Sequence, residues 1–161
     1  MLLLKYKSTT QTKIFETKQA IADGATEIDV VLNIGLLKSG LHKEVQDDIA
    51  AVVNAASGKA VKVILENAYL TESEKVTACK LTEAAGADYV KTSTGYAPTG
   101  ATIADIKLMR SSVSPKMKIK SAGGVRTLDV LMEYLDAGIS RSGATTTAIM
   151  LDEYVERFGR D

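Results

Sequence analysis

The chain has 161 residues, which is enough for one sizeable core, and we expect residues 1–161 to form a single domain. Apolar residues make up 45% and charged residues 25%, and the 20 basic and 20 acidic side chains cancel, so the composition does not indicate a nucleic-acid-binding protein or a charged disordered tail. The single cysteine, Cys79, rules out an internal disulfide, and the chain has no Cys/His cluster of the kind that binds zinc.

The first segment, MLLLKYK, is apolar for only three residues after Met1. That is too short for the apolar region of a signal peptide, and no other run approaches the length needed to cross a membrane. We therefore expect a cytoplasmic protein that does not bind a membrane. LLLKYK is in addition a candidate first strand.

Further along, short apolar runs rich in Val and Ile alternate with longer amphipathic segments that often stop at a glycine. The predicted strands are EIDVVLNI (27–34), AVKVILE (60–66), DYVKTST (88–94), MKIKSA (117–122) and ISRSG (139–143). The predicted helices cover 10–23, 43–56, 71–85, 102–110, 127–137 and 146–157. In the third helix, TESE predicts a capping box, in which Thr71 caps the helix and Glu74 reaches back.

Strands that alternate with helices, at about thirty residues per unit, predict an α/β protein with a parallel sheet built from βα units. Two architectures fit the pattern: an open doubly wound sheet, or part of a (β/α)8 barrel. A complete barrel needs eight units and roughly 200 residues or more. This sequence supplies five units, or six with LLLKYK, so we do not expect a closed barrel.

Two charged residues within predicted strands are candidates for chemistry. Lys91 lies in the middle of DYVKTSTG (88–95), where no acidic residue within the stretch is placed to pair with it. A buried unpaired ammonium is costly and usually loses its charge, although a lysine on a strand can instead extend its stem to solvent. Burying the Asp29 carboxylate in EIDVV is costly unless it is paired or takes part in chemistry. The alternative to a chemical role is a structural one, in which the carboxylate caps a helix or pairs with a lysine.

The segment KIKSAGGVR (118–126) runs from a strand into a turn. Lys118 and Lys120 point to the same side because side chains alternate along a strand, and Lys120 lies nearer the carboxyl end. Gly123 and Gly124 then open a turn before a helix, where exposed backbone N–H groups suit a phosphate. A pair of glycines is also an ordinary turn, so this segment alone leaves both interpretations open.

SGATTT (142–147) is a second small-residue turn between a strand and a helix. Its hydroxyl and N–H groups suit an anion. The alternative is that Thr145 or Thr146 simply caps the last helix.

Taken together, these segments predict a recognisable kind of site. If Lys91 and Lys120 lie close together at the ends of adjacent strands, each disfavours the charge on the other, and one pKa falls. A neutral amine is what a Schiff-base nucleophile needs. Asp29 could then move protons, directly or through a water, while the two turns hold the phosphate of a sugar phosphate.

The motifs DYVKTSTG, KIKSAGGVR and EIDVVLNIG, with LNIGLLKSG, ENAYLT and GYAPTGAT, resemble deoxyribose-phosphate aldolase, a class I aldolase family on a (β/α)8 TIM barrel, from about Ser8 to about Thr147. The resemblance implies reversible cleavage of 2-deoxy-D-ribose 5-phosphate into D-glyceraldehyde 3-phosphate and acetaldehyde. It implies that Lys91 forms the Schiff base, that Lys120 tunes it and that Asp29 relays protons with a bound water. It places around the phosphate Gly95, Gly123, Gly124, Gly143, Thr145 and Thr146. No metal or organic cofactor is implied, because the protonated imine is itself the electron sink.

The resemblance also implies a partial barrel. The family's first two strands and their helices have no counterpart in this sequence, so we expect five to six βα units with the first strands missing. A barrel open in this way exposes apolar surface and strand edges, which predicts weak activity and self-association into a homo-oligomer. The alternative is a weak or inactive remnant that binds sugar phosphates or a partner chain. A different phosphate-binding barrel enzyme is disfavoured, because it would not need the paired lysines.

Overall fold

The computed structural model describes residues 3–4 and 8–159, which form a parallel sheet of six strands connected by helices. The strands are β1 (Leu3–Leu4), β2 (Glu27–Val31), β3 (Ala60–Ile64), β4 (Tyr89–Lys91), β5 (Lys118–Ala122) and β6 (Arg141–Gly143). The helices are α1 (Thr10–Ala22), α2 (Ile34–Lys38), α3 (His42–Ala55), α4 (Glu72–Ala84), α5 (Ile103–Ser112), α6 (Leu128–Asp136) and α7 (Thr147–Phe158), with one 3-10 turn at Asn67–Tyr69. The predicted α/β class is confirmed.

The order of the strands decides between the two predicted architectures. Each strand pairs in parallel with the next one along the chain, from β1 to β6. A doubly wound sheet reverses its order at a switch point, and the described strands contain no reversal. The sheet is also strongly curved, because Arg141 on β6 reaches Glu27 on β2, with Nη1 2.6 Å from Oε1, across the concave side of the three strands between them. The structure therefore matches the predicted partial barrel.

Alternation along the strands gives the sheet an apolar outer face and a charged inner face. The outer face packs against the helices through a row of register neighbours: Val30, Val63, Val90 and Ile119. These four side chains are at most 2% exposed, and burying each contributes about 1.5–3 kcal/mol. The residue next to each of these along its strand points to the inner face, and these neighbours include Asp29, Lys62, Lys91 and Lys120. The alternation that builds the core thus places the charged residues inside the curve.

Threonines begin most of the helices that follow the strands. The capping box predicted for α4 is present: the Thr71 hydroxyl accepts from the Glu74 N–H at 3.3 Å, and the Thr71 N–H donates to the Glu74 carboxylate at 2.7 Å. Side-chain caps also come from Thr9, Thr102 and Thr127. These caps fix where each of the four helices begins.

The structure corrects one expectation near the start of the chain and describes only part of the segment that a second one concerns. The strand predicted over 27–34 ends at Val31, because Asn33 caps α2 by accepting a hydrogen bond from the Leu36 N–H at 3.1 Å. Ile34 therefore begins a short helix, which was not predicted because Ile34 extends an apolar run. Of the candidate strand LLLKYK, Leu3–Leu4 forms β1, and residues 5–7 lie outside the described part of the chain.

Candidate active site

Asp29 is the centre of a cluster of three lysines on the inner face of the sheet. Its Oδ2 accepts hydrogen bonds from Lys91 Nζ at 2.7 Å and from Lys120 Nζ at 3.0 Å. Its Oδ1 accepts from Lys62 Nζ at 3.1 Å. The three residues singled out from the sequence, Asp29, Lys91 and Lys120, are therefore brought together. Because Lys91 and Lys120 share one oxygen atom, their amines lie close to each other.

The burial of Lys91 is explained by a partner far away in the sequence. Lys91 is only 3% exposed, so its stem does not extend to solvent, and Asp29, which is fully buried, supplies the counter-charge that DYVKTSTG lacks. One alternative interpretation of Asp29 was that it pairs with a lysine. In the structure it pairs with three lysines at once. One carboxylate cannot neutralise three ammonium groups.

The electrostatic consequence is an acidic Asp29 and a lysine that releases its proton readily. Burial alone would raise the pKa of Asp29, but hydrogen bonds and charges from Lys91 and Lys120 outweigh it and lower that pKa to about 2. Burial lowers the pKa of Lys91, and the neighbouring Lys120 lowers it further, against the opposing effect of Asp29. The carboxylate therefore stays ionised, and the most buried of the amines facing the cleft becomes the easiest to deprotonate.

Sequence reasoning missed the second half of this charge cluster. Lys62, 1% exposed, also donates to Glu27 Oε2 at 2.7 Å, and Glu27 binds Arg141 through both of its oxygens. Hydrogen bonds from Lys62 and Arg141 lower the pKa of Glu27. Lys62 carried the same signal as Lys91, a charged residue inside an apolar run, in AVKVILE. No sequence pattern pointed to the pairing of Glu27 with Arg141.

A cleft of about 740 Å³ opens at the carboxyl ends of β4, β5 and β6. Lys91 and Lys120 line it, so both amines are accessible from the same space. Of the residues that the resemblance placed around a phosphate, the cleft is lined by Gly95, Gly123, Gly124, Gly143 and Thr145. The geometry thus joins the lysines and most of the predicted phosphate-binding turns in one cavity.

Of the residues that the resemblance placed around the phosphate, Thr146 is the one that does not line this cleft. Its hydroxyl donates instead to the carbonyl of Arg126 at 3.2 Å, which ties the turn before α7 to the turn before α6. It occupies the N-cap position of α7, as the alternative for this turn had it, but its side chain makes no capping hydrogen bond. The first N–H groups of this 12-residue helix begin beside Thr145, at the cleft.

The glycines of the cleft are required by backbone shape and by close packing. Gly123 and Gly124 both have a left-handed backbone, with φ values of +77° and +82°, which side chains rarely tolerate. Gly100, in the loop after β4, passes so close that a Cβ there would lie 2.4 Å from the Gly123 carbonyl. The Ala101 N–H donates to that same carbonyl at 3.0 Å. The loop is thereby fastened over the glycine turn.

Glu66 is a further residue at the cleft that sequence reasoning did not single out. Its fully buried carboxylate accepts from the Thr94 hydroxyl at 2.5 Å and from the Thr94 N–H at 3.1 Å, and so holds the turn that leads to Gly95. Glu66 also has a left-handed backbone, with φ +57°, which is costly for a residue with a side chain. Such strain at the end of β3 is typical of functional loops.

Two kinds of feature are absent from the described residues. No helix among them is both long and apolar enough to span a membrane. They contain no group of three or more His, Cys, Asp or Glu side chains that could hold a metal ion.

Residues 2–155 match the family model described as DeoC/LacD family aldolase. The chain belongs to this family. The deoxyribose-phosphate aldolase resemblance seen in the motifs is confirmed at the level of this aldolase family, and the partial (β/α)8 barrel fits it.

Individual members of the DeoC/LacD family resemble the chain closely. Deoxyribose-phosphate aldolase 1 of Oceanobacillus iheyensis is 57% identical over 140 residues, which cover 86% of this chain and 63% of that protein. Among solved structures, the aldolase QR15 has a TM-score of 0.90 and 32% identity over 96% of this chain and 72% of its own. The tetrameric deoxyribose phosphate aldolase of Aeropyrum pernix has a TM-score of 0.84 and 26% identity over 94% of this chain and 66% of its own. The chain spans about 63% of the length of the first curated relatives it matches.

Proposed function

We propose that this chain carries the Schiff-base site of a deoxyribose-phosphate aldolase, which reversibly cleaves 2-deoxy-D-ribose 5-phosphate into D-glyceraldehyde 3-phosphate and acetaldehyde. One observation supports this above all: Lys91 and Lys120 share a single oxygen of a buried carboxylate at the wall of a cleft lined by glycine turns. A neighbouring cation and burial are the two ordinary means of keeping a lysine neutral for nucleophilic attack.

The proposed reaction begins with the neutral amine of Lys91. It adds to the C1 aldehyde of the open-chain sugar, and loss of water gives a protonated imine. A base removes the proton of the C3 hydroxyl, the C2–C3 bond breaks, and its electron pair moves into the imine to give an enamine. The aldehyde formed at C3 leaves as glyceraldehyde 3-phosphate. Protonation of C2 and hydrolysis then release acetaldehyde and restore Lys91.

Asp29 and Lys120 are the groups proposed to move protons in these steps. Asp29 touches both amines, so a proton can pass between Lys91 and Lys120 through it or through a bound water. With a pKa of about 2, Asp29 is charged throughout the neutral range and stabilises the cationic imine on Lys91 by its proximity. No metal or organic cofactor takes part in this proposal, because the imine accepts the electron pair.

The phosphate is proposed to bind at the far end of the cleft. Within the described part of the chain, the N–H groups of Gly123 and Gly124 donate to no other group, and they lie on the cleft wall. The start of α7 adds the positive end of a helix dipole, to which Thr145 and Thr146 contribute backbone N–H groups. Gly95 and Gly143 leave room for the ligand between these turns. A phosphorylated substrate also fits the cytoplasmic location expected from the sequence.

A second copy of the chain is proposed to cover the apolar face of α7. By helical spacing, one face of α7 carries Leu151, Tyr154, Val155 and Phe158, which are between 36% and 60% exposed. Contiguous apolar surface of this kind is normally buried by association. Light scattering at increasing concentration tests the proposal, and a monomer at all concentrations would contradict it.

A coupled assay that measures glyceraldehyde 3-phosphate released from 2-deoxyribose 5-phosphate tests the proposed reaction. Wild-type protein should show turnover, and Lys91→Met should show none while remaining folded by circular dichroism. The same assay with unphosphorylated 2-deoxyribose should show weaker cleavage, because the turns then bind nothing. Folded wild-type protein that binds the sugar phosphate without turnover would support the remnant interpretation instead.

A further inference from the structure

Lys62 occupies a position in the charge cluster that the proposed reaction does not use. It is the register neighbour of Asp29 across β2 and β3, and its Nζ bridges Asp29 Oδ1 at 3.1 Å and Glu27 Oε2 at 2.7 Å. Lys62 is only 1% exposed and does not line the cleft that Lys91 and Lys120 share. Lys62 therefore contacts the Asp29 carboxylate from outside this cleft.

We propose that Lys62 is a positioning residue: by occupying Oδ1 of Asp29, it leaves Lys91 and Lys120 to share Oδ2, and so holds the two amines together. The inference rests on the proposed function, because it concerns the same carboxylate. A carboxylate has two oxygens and accepts lysines readily at both. With Oδ1 free, the two amines would take one oxygen each and separate.

Glu27 is the anchor that keeps Lys62 in this position. It lies two residues before Asp29 on the same face of β2, holds Lys62 through one oxygen and binds Arg141 of β6 through both. Lys62 is thus fixed between two carboxylates. The chain of contacts runs from the exposed Arg141 at one end to the cleft at the other.

Several charged or titratable groups face this side of the sheet, and of these Asp29 raises the pKa of Lys91 while Lys120 lowers it. Those described are Glu27 and Asp29 on β2, Lys62 on β3, Tyr89 on β4, Lys118 and Lys120 on β5, and Arg141 on β6. Changing Lys62 removes a cation and frees an oxygen of Asp29, and both changes favour a proton on Lys91. Changing Glu27 removes an anion, which favours loss of the proton from Lys91.

The test measures how readily Lys91 reacts as an amine at each pH. Brief reductive methylation with formaldehyde, quantified peptide by peptide by mass spectrometry, gives the pH midpoint of Lys91 without requiring any aldolase activity. A unit charge at about 6 Å and an effective dielectric constant of about 20 shifts a pKa by at most about two units, and water in the cleft reduces this. We therefore expect Lys62→Met to raise the Lys91 midpoint by about one pH unit, Glu27→Gln to lower it, and Lys62→Arg to stay near wild type.

Lys13→Met is the matched control. Lys13 is equally buried and pairs with its own carboxylate, Asp48, at 2.6 Å, without contacting Asp29, so its loss should leave the midpoint unchanged. The inference is overturned if Lys62→Met and Glu27→Gln both leave the midpoint unmoved, or if Lys13→Met moves it as far. Separate trapping of acetaldehyde on the wild type distinguishes the two claims. A wild type that does not trap refutes the proposed function, while the methylation midpoints still decide the role of Lys62.

Discussion

Replacing Asp29 with asparagine removes the one carboxylate that three lysines share. The side chain keeps its size and one oxygen acceptor, so the change is mainly one of charge. Lys62 retains Glu27 as a partner, but Lys91 loses the only carboxylate with which it pairs in the described part of the chain. A buried lysine without a counter-charge destabilises the folded protein until it loses its proton.

Two figures bracket the expected loss of stability. The pKa of Asp29 is lowered from 3.8 to about 2, and the shift corresponds to about 2 kcal/mol of folded-state stabilisation at neutral pH. Breaking one partner out of a buried ion pair typically costs about 3–5 kcal/mol. We therefore expect Asp29→Asn to lower the free energy of unfolding at neutral pH by about 3 kcal/mol.

The pH dependence gives this prediction a sign that can be checked. Asp29 has a lowered pKa in the folded state, so its contribution is present above pH 3.8 and is lost as the pH falls toward about 2. The difference between wild type and Asp29→Asn should shrink in that acidic range. Above neutrality it should also shrink, because the unpartnered Lys91 of the variant sheds its proton and the unfolded chain binds more protons than the folded one.

Urea unfolding followed by circular dichroism over this pH range is the assay. The control is Asp47→Asn, which breaks an exposed pair with Lys43 on the surface of α3 and should cost less than about 0.5 kcal/mol at any pH. If Asp29→Asn behaves like this control, with the same small loss and no change in pH dependence, the carboxylate does not hold the cluster together.

Three further substitutions test the site and its frame. Lys91→Arg should abolish imine formation, because a guanidinium does not deprotonate, and an adduct that still formed in this variant would assign the chemistry elsewhere. Lys120→Leu should raise the pH at which Lys91 is trapped, since a neighbouring cation is lost; an unchanged pH profile would show that the two amines are not coupled. Gly100→Ala should destabilise the protein by about 1–3 kcal/mol in urea, because its Cβ would lie 2.4 Å from the Gly123 carbonyl. Gly35→Ala, whose nearest contact is an ordinary 3.5 Å, should not, and equal losses would contradict the steric argument.

The main chemistry could be anticipated from sequence because parallel strands deliver their carboxyl ends to one edge. In a barrel, consecutive strands are neighbours, so Lys91 and Lys120 were expected side by side, and β4 and β5 indeed pair Lys91 with Lys120. Asp29 could be added because an acid inside a Val-rich run is costly without a partner. The glycine turns followed from the same topology.

Other parts of the site depend on three-dimensional contacts that sequence patterns do not record. Glu27 and Arg141 are 114 positions apart and meet only because the sheet curves. Lys62 was visible in AVKVILE, but functional groups were expected at the ends of the strands, and Lys62 approaches Asp29 from the middle of its strand. The short helix α2 was concealed because its first residue, Ile34, extends an apolar run.

The most direct test of the central claim is to trap the Schiff base with acetaldehyde and borohydride at neutral pH and to map the product by mass spectrometry. We expect a single ethyl group on Lys91, with Lys62 and Lys120 unmodified. Folded protein that acquires no ethyl group, or acquires it on Lys120 instead, would contradict that claim.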